Sequence, residues 1–265
     1  MLATLQWYHA AGIDIAVGEE PVDRFAQSAA PPPGVKAPLP RPAVQTGARD
    51  VAPVEIVVSG ADVDPQLARE VAGQADTLEA LRAALEAFDG CGLKLRATNL
   101  VFADGNPDAE IMLVGEAPGR DEDIEGLPFV GRSGRLLDRM LAAIGIERRT
   151  GAYIANVVPW RPPGNRTPTP LETEICRPFI ERQIELANPR VLVTLGGPSA
   201  KVLLHASEGV LRFRGTWRTH VTASGVEIPA MPTLHPAYLL RNPAHKKLAW
   251  RDFLEIRAKL DETAG

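Results

Sequence analysis

Four side chains of types that can work on a flat heterocycle stand beside short apolar runs in this chain. Glu116 follows Ile111 to Val114, Asn156 sits within the run from Ala152 to Val158, His235 comes just after Val226 to Met231, and Phe129 lies in the glycine-rich loop GEAPGRDEDIEGLPFVG of residues 115–131. An aromatic face can hold a planar ring, and an asparagine offers one donor and one acceptor to a base edge. An acid next to one strand end and a histidine after another lie on the same rim if the strands are parallel. Taken singly, each has a plainer reading: Phe129 as core, Asn156 as a turn cap, His235 as a satisfied structural histidine.

The elements that would have to position them alternate in type. Candidate strands at 109–114, 152–158, 191–195 and 226–231 are interleaved with helices at 134–144, 170–187 and 198–204. Leu136, Leu137, Met140, Leu141 and Ile144 show the helical spacing after the glycine loop. This alternation predicts an α/β fold, three-layer α/β/α around a central parallel four-stranded sheet, with the loops at the strand ends forming the site. Pro118 with Gly115 and Gly119 lets backbone approach a ligand closely. A further helix is predicted from Thr77, a capping residue before Leu78, Leu81, Leu85 and Phe88.

Composition limits the remaining classes. Two cysteines make no disulfide framework, no positively charged leader opens the chain, and no apolar run approaches the ~20 residues of a membrane span. A monomer in a reducing cytoplasm, without membrane partners, is expected. The net charge of −4 is unevenly spread: residues 1–88 carry 6 basic and 12 acidic side chains, while the rest of the 265 residues has a net charge of +2. A near-neutral domain binds DNA if its arginines gather around one groove. Residues 1–25 are expected to be an N-terminal segment with a short helix, 26–76 a proline- and alanine-rich acidic linker without regular structure, and 77–265 the main domain.

Taken together, GEAPGRDEDIEGLPFVGRSGRLLD, NVVPWRPPGNRTPTP and PTLHPAYLLRNPAHKKLAW resemble family 4 of the uracil-DNA glycosylase superfamily, over roughly residues 77–259. The resemblance implies an enzyme of base-excision repair that extrudes uracil from DNA and hydrolyses its N-glycosidic bond. It implies that Phe129 stacks on uracil, Asn156 reads its polar edge, His235 hydrogen-bonds near O2 and Glu116 positions water. Glu122 would lie near C5, with Gly115, Ala117, Pro118 and Gly119 completing the base pocket. Relatives with the strongest water activation carry aspartate where this chain has Ala117, which shifts the burden to Glu116. Arg161, Asn165, Arg166 and Arg241, with Lys246 and Lys247, would reach phosphates, and Leu239 or Leu240 would wedge into the vacated stack. Some relatives trap DNA through a histidine after the asparagine strand; RPPGNRTP has none, so turnover is expected.

One part of the family pattern is broken. The family usually holds a four-iron, four-sulfur cluster on four cysteines, and here those positions read Phe88, Cys91, Trp160 and Cys176. Phe and Trp cannot bind iron, so no cofactor is expected and Cys91 and Cys176 are remnants. Two other functions fit the same residues. One is a glycosylase that also removes hypoxanthine or xanthine; the other is a non-catalytic module that shields uracil or abasic DNA. A generic nucleotide-binding domain fits less well, because the first loop lacks a P-loop lysine.

Overall fold

The computed structural model describes residues 65–262. The helix expected within residues 1–25, and the linker as far as residue 64, lie outside the described residues. The last part of the expected linker is in fact helical: α1 (Pro65–Gly73) buries Ala68 and Ala72, one turn apart. Proline density argues for extended chain, but Pro65 is the first helical residue, where a missing N–H costs nothing. Helix α2 (Leu78–Ala87) follows, and Thr77 caps it by accepting from the Ala80 N–H at 3.1 Å.

Next in order come β1 (Asp104–Gly105), β2 (Ile111–Gly115), α3 (Arg120–Glu125), α4 (Arg132–Ala143), α5 (Arg148–Gly151) and β3 (Tyr153–Asn156). Helix α6 (Pro170–Ala187), β4 (Val191–Leu195), α7 (Gly197–Leu203), α8 (Val210–Phe213), β5 (Arg218–Val221), β6 (Glu227–Thr233), α9 (Pro236–Arg241) and α10 (Lys246–Glu262) complete the fold. The start of α6 is set by a reciprocal cap. Thr169 Oγ1 accepts from the Glu172 N–H, Glu172 Oε2 accepts from the Thr169 N–H, and Pro170 occupies the first turn.

The sheet order is β1-β3-β2-β4-β6-β5. Its centre, β3-β2-β4-β6, is parallel, with Leu113 beside both Ile154 and Val193, and Val193 beside Met231. The expected four-stranded parallel sheet is therefore the core of a six-stranded one whose two edges run antiparallel. Neither edge announces itself in sequence. β1 is two residues long, and β5 reads RTHV with a single buried position, so apolar periodicity is absent from both.

All residues of β2 and β4 are buried, as strands covered on both faces must be. Successive residues point to opposite faces. Met112 and Val114 join Leu81, Leu85, Phe179 and Ile180 on one side; Ile111 and Leu113 join Leu137, Leu141, Phe253 and Ile256 on the other. Two helical layers thus fix the sheet, and its carboxyl rim carries the loops that hold the chemistry.

Candidate active site

Gly115 ends β2 directly beside Asn156, the end of β3. The pairing continues past both strands, because the Val157 N–H donates to Gly115 O and the Val158 N–H to Glu116 O, each at 3.0 Å. Glu116 and Asn156 are therefore fixed by sheet register rather than by loop conformation. A Cβ on residue 115 would fall 2.4 Å from Asn156 Oδ1 and 2.6 Å from Phe129 Cζ, so glycine here lets the amide and the ring approach each other.

Phe129 has φ 53, in the left-handed region, a strain of about 1–3 kcal/mol for a bulky residue that the surroundings must offset. Three groups do so. Arg148, at the start of α5, donates from Nη1 to Phe129 O at 2.9 Å and from Nη2 to Pro128 O at 2.5 Å. The same guanidinium is anchored by Asp104 of β1 and Asp138 of α4 at 2.7 and 2.8 Å. Burial opposes its charge, but these hydrogen bonds prevail and hold its pKa above the ordinary value. Glu122 Oε1 accepts from the Val130 and Gly131 N–H groups, and its Oε2 from the Gly119 N–H. Gly134 leaves room for the Phe129 carbonyl, since a Cβ there would lie 1.7 Å from that oxygen.

His235 follows β6 and caps α9. Its Nδ1 accepts from the Ala237 N–H at 3.1 Å, so in the neutral ring the proton resides on Nε2. Burial, with help from the Arg241 charge, pushes its pKa down to about 4. The imidazole is thus a neutral donor near neutral pH. Its ring centroid stands 5.4 Å from that of Phe129, with planes 30° apart. Gly196, at φ 101, admits this placement, as a Cβ there would be 3.1 Å from His235 Cβ.

This shift has a measurable consequence. A histidine neutral when folded and titrating near 6.5 when unfolded makes the unfolded chain bind more protons between those values. Its stability contribution is fully present above about pH 6.5 and is lost as pH falls toward 4. We expect the wild-type melting temperature to fall more steeply between about pH 7 and pH 5 than that of His235→Asn, which keeps a capping acceptor. Equal slopes would show that His235 is not held neutral.

Glu116, Ala117, Pro118, Gly119, Glu122, Phe129, Asn156 and His235 line one pocket of about 200 Å³. Asn165 and Arg166 reach its rim. Glu116 Oε1 is buried and has no hydrogen-bond partner among the described residues, and desolvation raises the pKa of its carboxyl. A buried acceptor without a donor is costly unless a bound molecule satisfies it.

Other expected residues stand differently. Arg166 is bidentate on Glu172 at 2.8 and 2.6 Å, and Arg161 donates to Asn165 Oδ1 while lying 3.7 Å from Asp123. Both are engaged in bracing the RPPGNR loop. Arg241 is exposed and bears on the site through its charge on His235. Leu239 is 1 % exposed and packs with Leu234 and Ala249, so it cannot be the wedge expected of it; its helical neighbour Leu240, 36 % exposed, is on the outer face. Leu239 and Leu240 are equally apolar, and only the orientation of α9 separates them. Ser133, Pro162, Thr167 and Pro168 also line the pocket; they lie within the quoted motifs, but nothing in the sequence singles them out, and Arg148 acts on Phe129 from outside it.

At the four positions where the family pattern has cysteines, this chain supplies two thiols and two aromatic side chains. Cys91 and Cys176 are buried with their sulfurs 3.9 Å apart, and their mutual hydrogen bond, then burial, raises the Cys176 pKa. Phe88 packs on Phe179 with ring centroids 5.1 Å apart, and Trp160 is 2 % exposed in the same apolar cluster. Neither Phe88 nor Trp160 can ligate iron, and both pack in one apolar cluster with the two thiols. Among the described residues, no group of three or more His, Cys, Asp or Glu side chains could hold a metal ion. None of the described helices is long and apolar enough to cross a membrane.

Comparison with known proteins bears on the same region. Residues 102–254 match the family model for the uracil DNA glycosylase superfamily. The type-4 uracil-DNA glycosylase of Sulfurisphaera tokodaii is 40 % identical over 190 residues, covering 69 % of this chain and 84 % of its own. That of Thermotoga maritima is 44 % identical over 157 residues, covering 59 % and 79 %, and that of Archaeoglobus fulgidus 42 % over 171 residues, covering 63 % and 84 %.

Proposed function

We propose that this chain, which belongs to the uracil-DNA glycosylase superfamily, extrudes uracil from DNA and hydrolyses its N-glycosidic bond, leaving an abasic site for base-excision repair. The observation that carries the proposal is a neutral His235, its Nε2–H unclaimed by capping, within one pocket with Phe129 and Asn156.

In this reading Phe129 stacks on the flipped base and Asn156 pairs with its polar edge. Bond cleavage leaves negative charge on uracil and oxocarbenium character on the sugar. His235 donates from Nε2 to O2 as that charge develops, without transferring its proton; a ring with pKa about 4 is a hydrogen-bond donor rather than an acid here. Glu116, with an unsatisfied buried oxygen, receives a hydrogen bond from water and directs it toward the sugar. Glu122 acts at one remove: both its oxygens are taken by backbone N–H groups, so it fixes the loop that bounds the base near C5.

A gel-based cleavage assay with uracil in single- and double-stranded DNA, beside inosine and thymine, tests the proposal. Uracil strands should break after alkali while thymine strands survive. Excision of inosine at a comparable rate would move the reading to a broader deaminated-base glycosylase, and no excision at all to a non-catalytic uracil-binding module.

We also read the enzyme as a cytoplasmic monomer that works without an iron–sulfur cluster, supported by the apolar packing of Phe88 and Trp160 around the two thiols. The purified protein should be colourless and free of stoichiometric iron. Cys91→Ser and Cys176→Ser should each retain uracil excision within about threefold, although each places a hydroxyl in a buried site and should lower the melting temperature. Brown, iron-loaded protein from anaerobic preparation would overturn this.

A further inference from the structure

Glu116 lines two cavities. Beyond the base pocket, and sharing Glu116, Thr167 and Pro168 with it, is a larger cleft of about 700 Å³ bounded by α7, the segment leading to α8, and the first turns of α6. Its walls include Val157, Val158, Val202 and Ala206, and its lining carries Lys201 and His205, both exposed, together with exposed Glu174, which pairs with Arg177, and exposed Glu208. Neither the Lys201 nor the His205 side chain forms an ion pair or hydrogen bond among the described residues, in contrast to Arg161 and Arg166, which the protein's own acidic and amide groups engage.

We propose that this cleft is a second base pocket, which takes the unpaired nucleotide next to uracil on the same strand while Lys201 and His205 hold its phosphate. The proposal rests on the glycosylase reading and extends it. Three features point to this occupant. The cleft shares Glu116, Thr167 and Pro168 with the uracil site, so the two are adjacent and neighbouring nucleotides of one strand can reach both. Its apolar walls can cover the face of a base without reading its polar edge, so such contacts tolerate any sequence. Lys201, without a partner among the described residues, is at its mouth with the His205 ring beside it as a hydrogen-bonding group, where a phosphate of that strand would lie, and a phosphate contact positions a strand without reading its sequence. A paired base cannot leave its stack without cost, so the pocket favours single-stranded or frayed substrate.

The test uses the full-length wild-type enzyme and short single-stranded oligonucleotides bearing a non-cleavable 2′-fluoro-arabino uracil nucleotide. One set has normal bases on both sides; the others replace the 5′ or the 3′ neighbour by an abasic spacer. Loss of one neighbour, and not the other, should weaken binding about tenfold, as burial of about 50–60 Å² of apolar surface would give. Val202→Trp, which fills the cleft, should bind normal and spacer oligonucleotides alike, and Lys201→Gln should lower the salt dependence of affinity by about one phosphate contact. Equal wild-type binding to all three oligonucleotides overturns the second pocket, even if Val202→Trp fails to fold. Failure of the glycosylase reading is separate and visible, because it appears as absence of excision on cleavable uracil strands.

Discussion

His235→Ala is expected to lower single-turnover uracil excision by at least ~100-fold, while affinity for a non-cleavable uracil oligonucleotide changes little. The asymmetry follows from where the charge is. In the bound substrate, uracil O2 is a neutral carbonyl for which water is an adequate partner. At the transition state it would bear part of a full negative charge inside a protein-walled pocket, and a fixed donor gains strength accordingly. The Ala237 N–H holds the ring by Nδ1, so the Nε2 donor is oriented before substrate arrives and does not have to be reorganised. Phe129→Ala should differ in kind, weakening binding together with rate, since stacking exists before and during cleavage. Near-normal excision by His235→Ala would remove its assigned role.

Much of this site is legible in the amino-acid sequence, for a physical reason. Glu116, Asn156 and His235 each follow or end a strand of the parallel sheet, and strand ends in such sheets are marked by apolar runs that stop abruptly. The loop glycines are also visible, but the reason for Gly115, a Cβ that would strike Asn156 and Phe129, depends on sheet register. What sequence does not disclose are groups that act across long separations. Arg148 sits in an ordinary polar turn, yet reaches back to the carbonyls of residues 128 and 129, and is itself held by Asp104 on the two-residue edge strand. No local pattern encodes that clamp. Similarly, RPPGNR reads as a row of phosphate contacts until Glu172 is found beside Arg166. The helix at 65–73 is obscured by the prolines before it. Leu239 rather than Leu240 is the buried one of the pair, and adjacent leucines on a helix differ only in direction, which no composition or spacing here reveals.

Gly134→Ala should be nearly as damaging as loss of His235, although residue 134 touches no substrate in the proposed mechanism. In most helices this substitution stabilises, because alanine is favoured over glycine by about 1 kcal/mol. Here the new methyl would stand 1.7 Å from Phe129 O and 3.1 Å from its Cα, both backbone atoms that no side-chain rotation can move aside. Either α4 shifts or the strained turn at Phe129 gives way. The turn is the weaker of the two, since it already carries about 1–3 kcal/mol of backbone strain, whereas α4 is anchored by buried Leu137 and Leu141. Release of the turn breaks the Arg148 hydrogen bonds to residues 128 and 129 and swings the ring away from His235. We therefore expect Gly134→Ala to fold, to melt several degrees lower, and to lose ~100-fold or more in single-turnover excision, because misplacement by about 1 Å is enough for a loss of that size. The measurements are thermal melting, excision rate and binding of the non-cleavable oligonucleotide on the same preparation. A stabilised, fully active Gly134→Ala would mean that the Phe129 turn is not held against α4 as the structure places it.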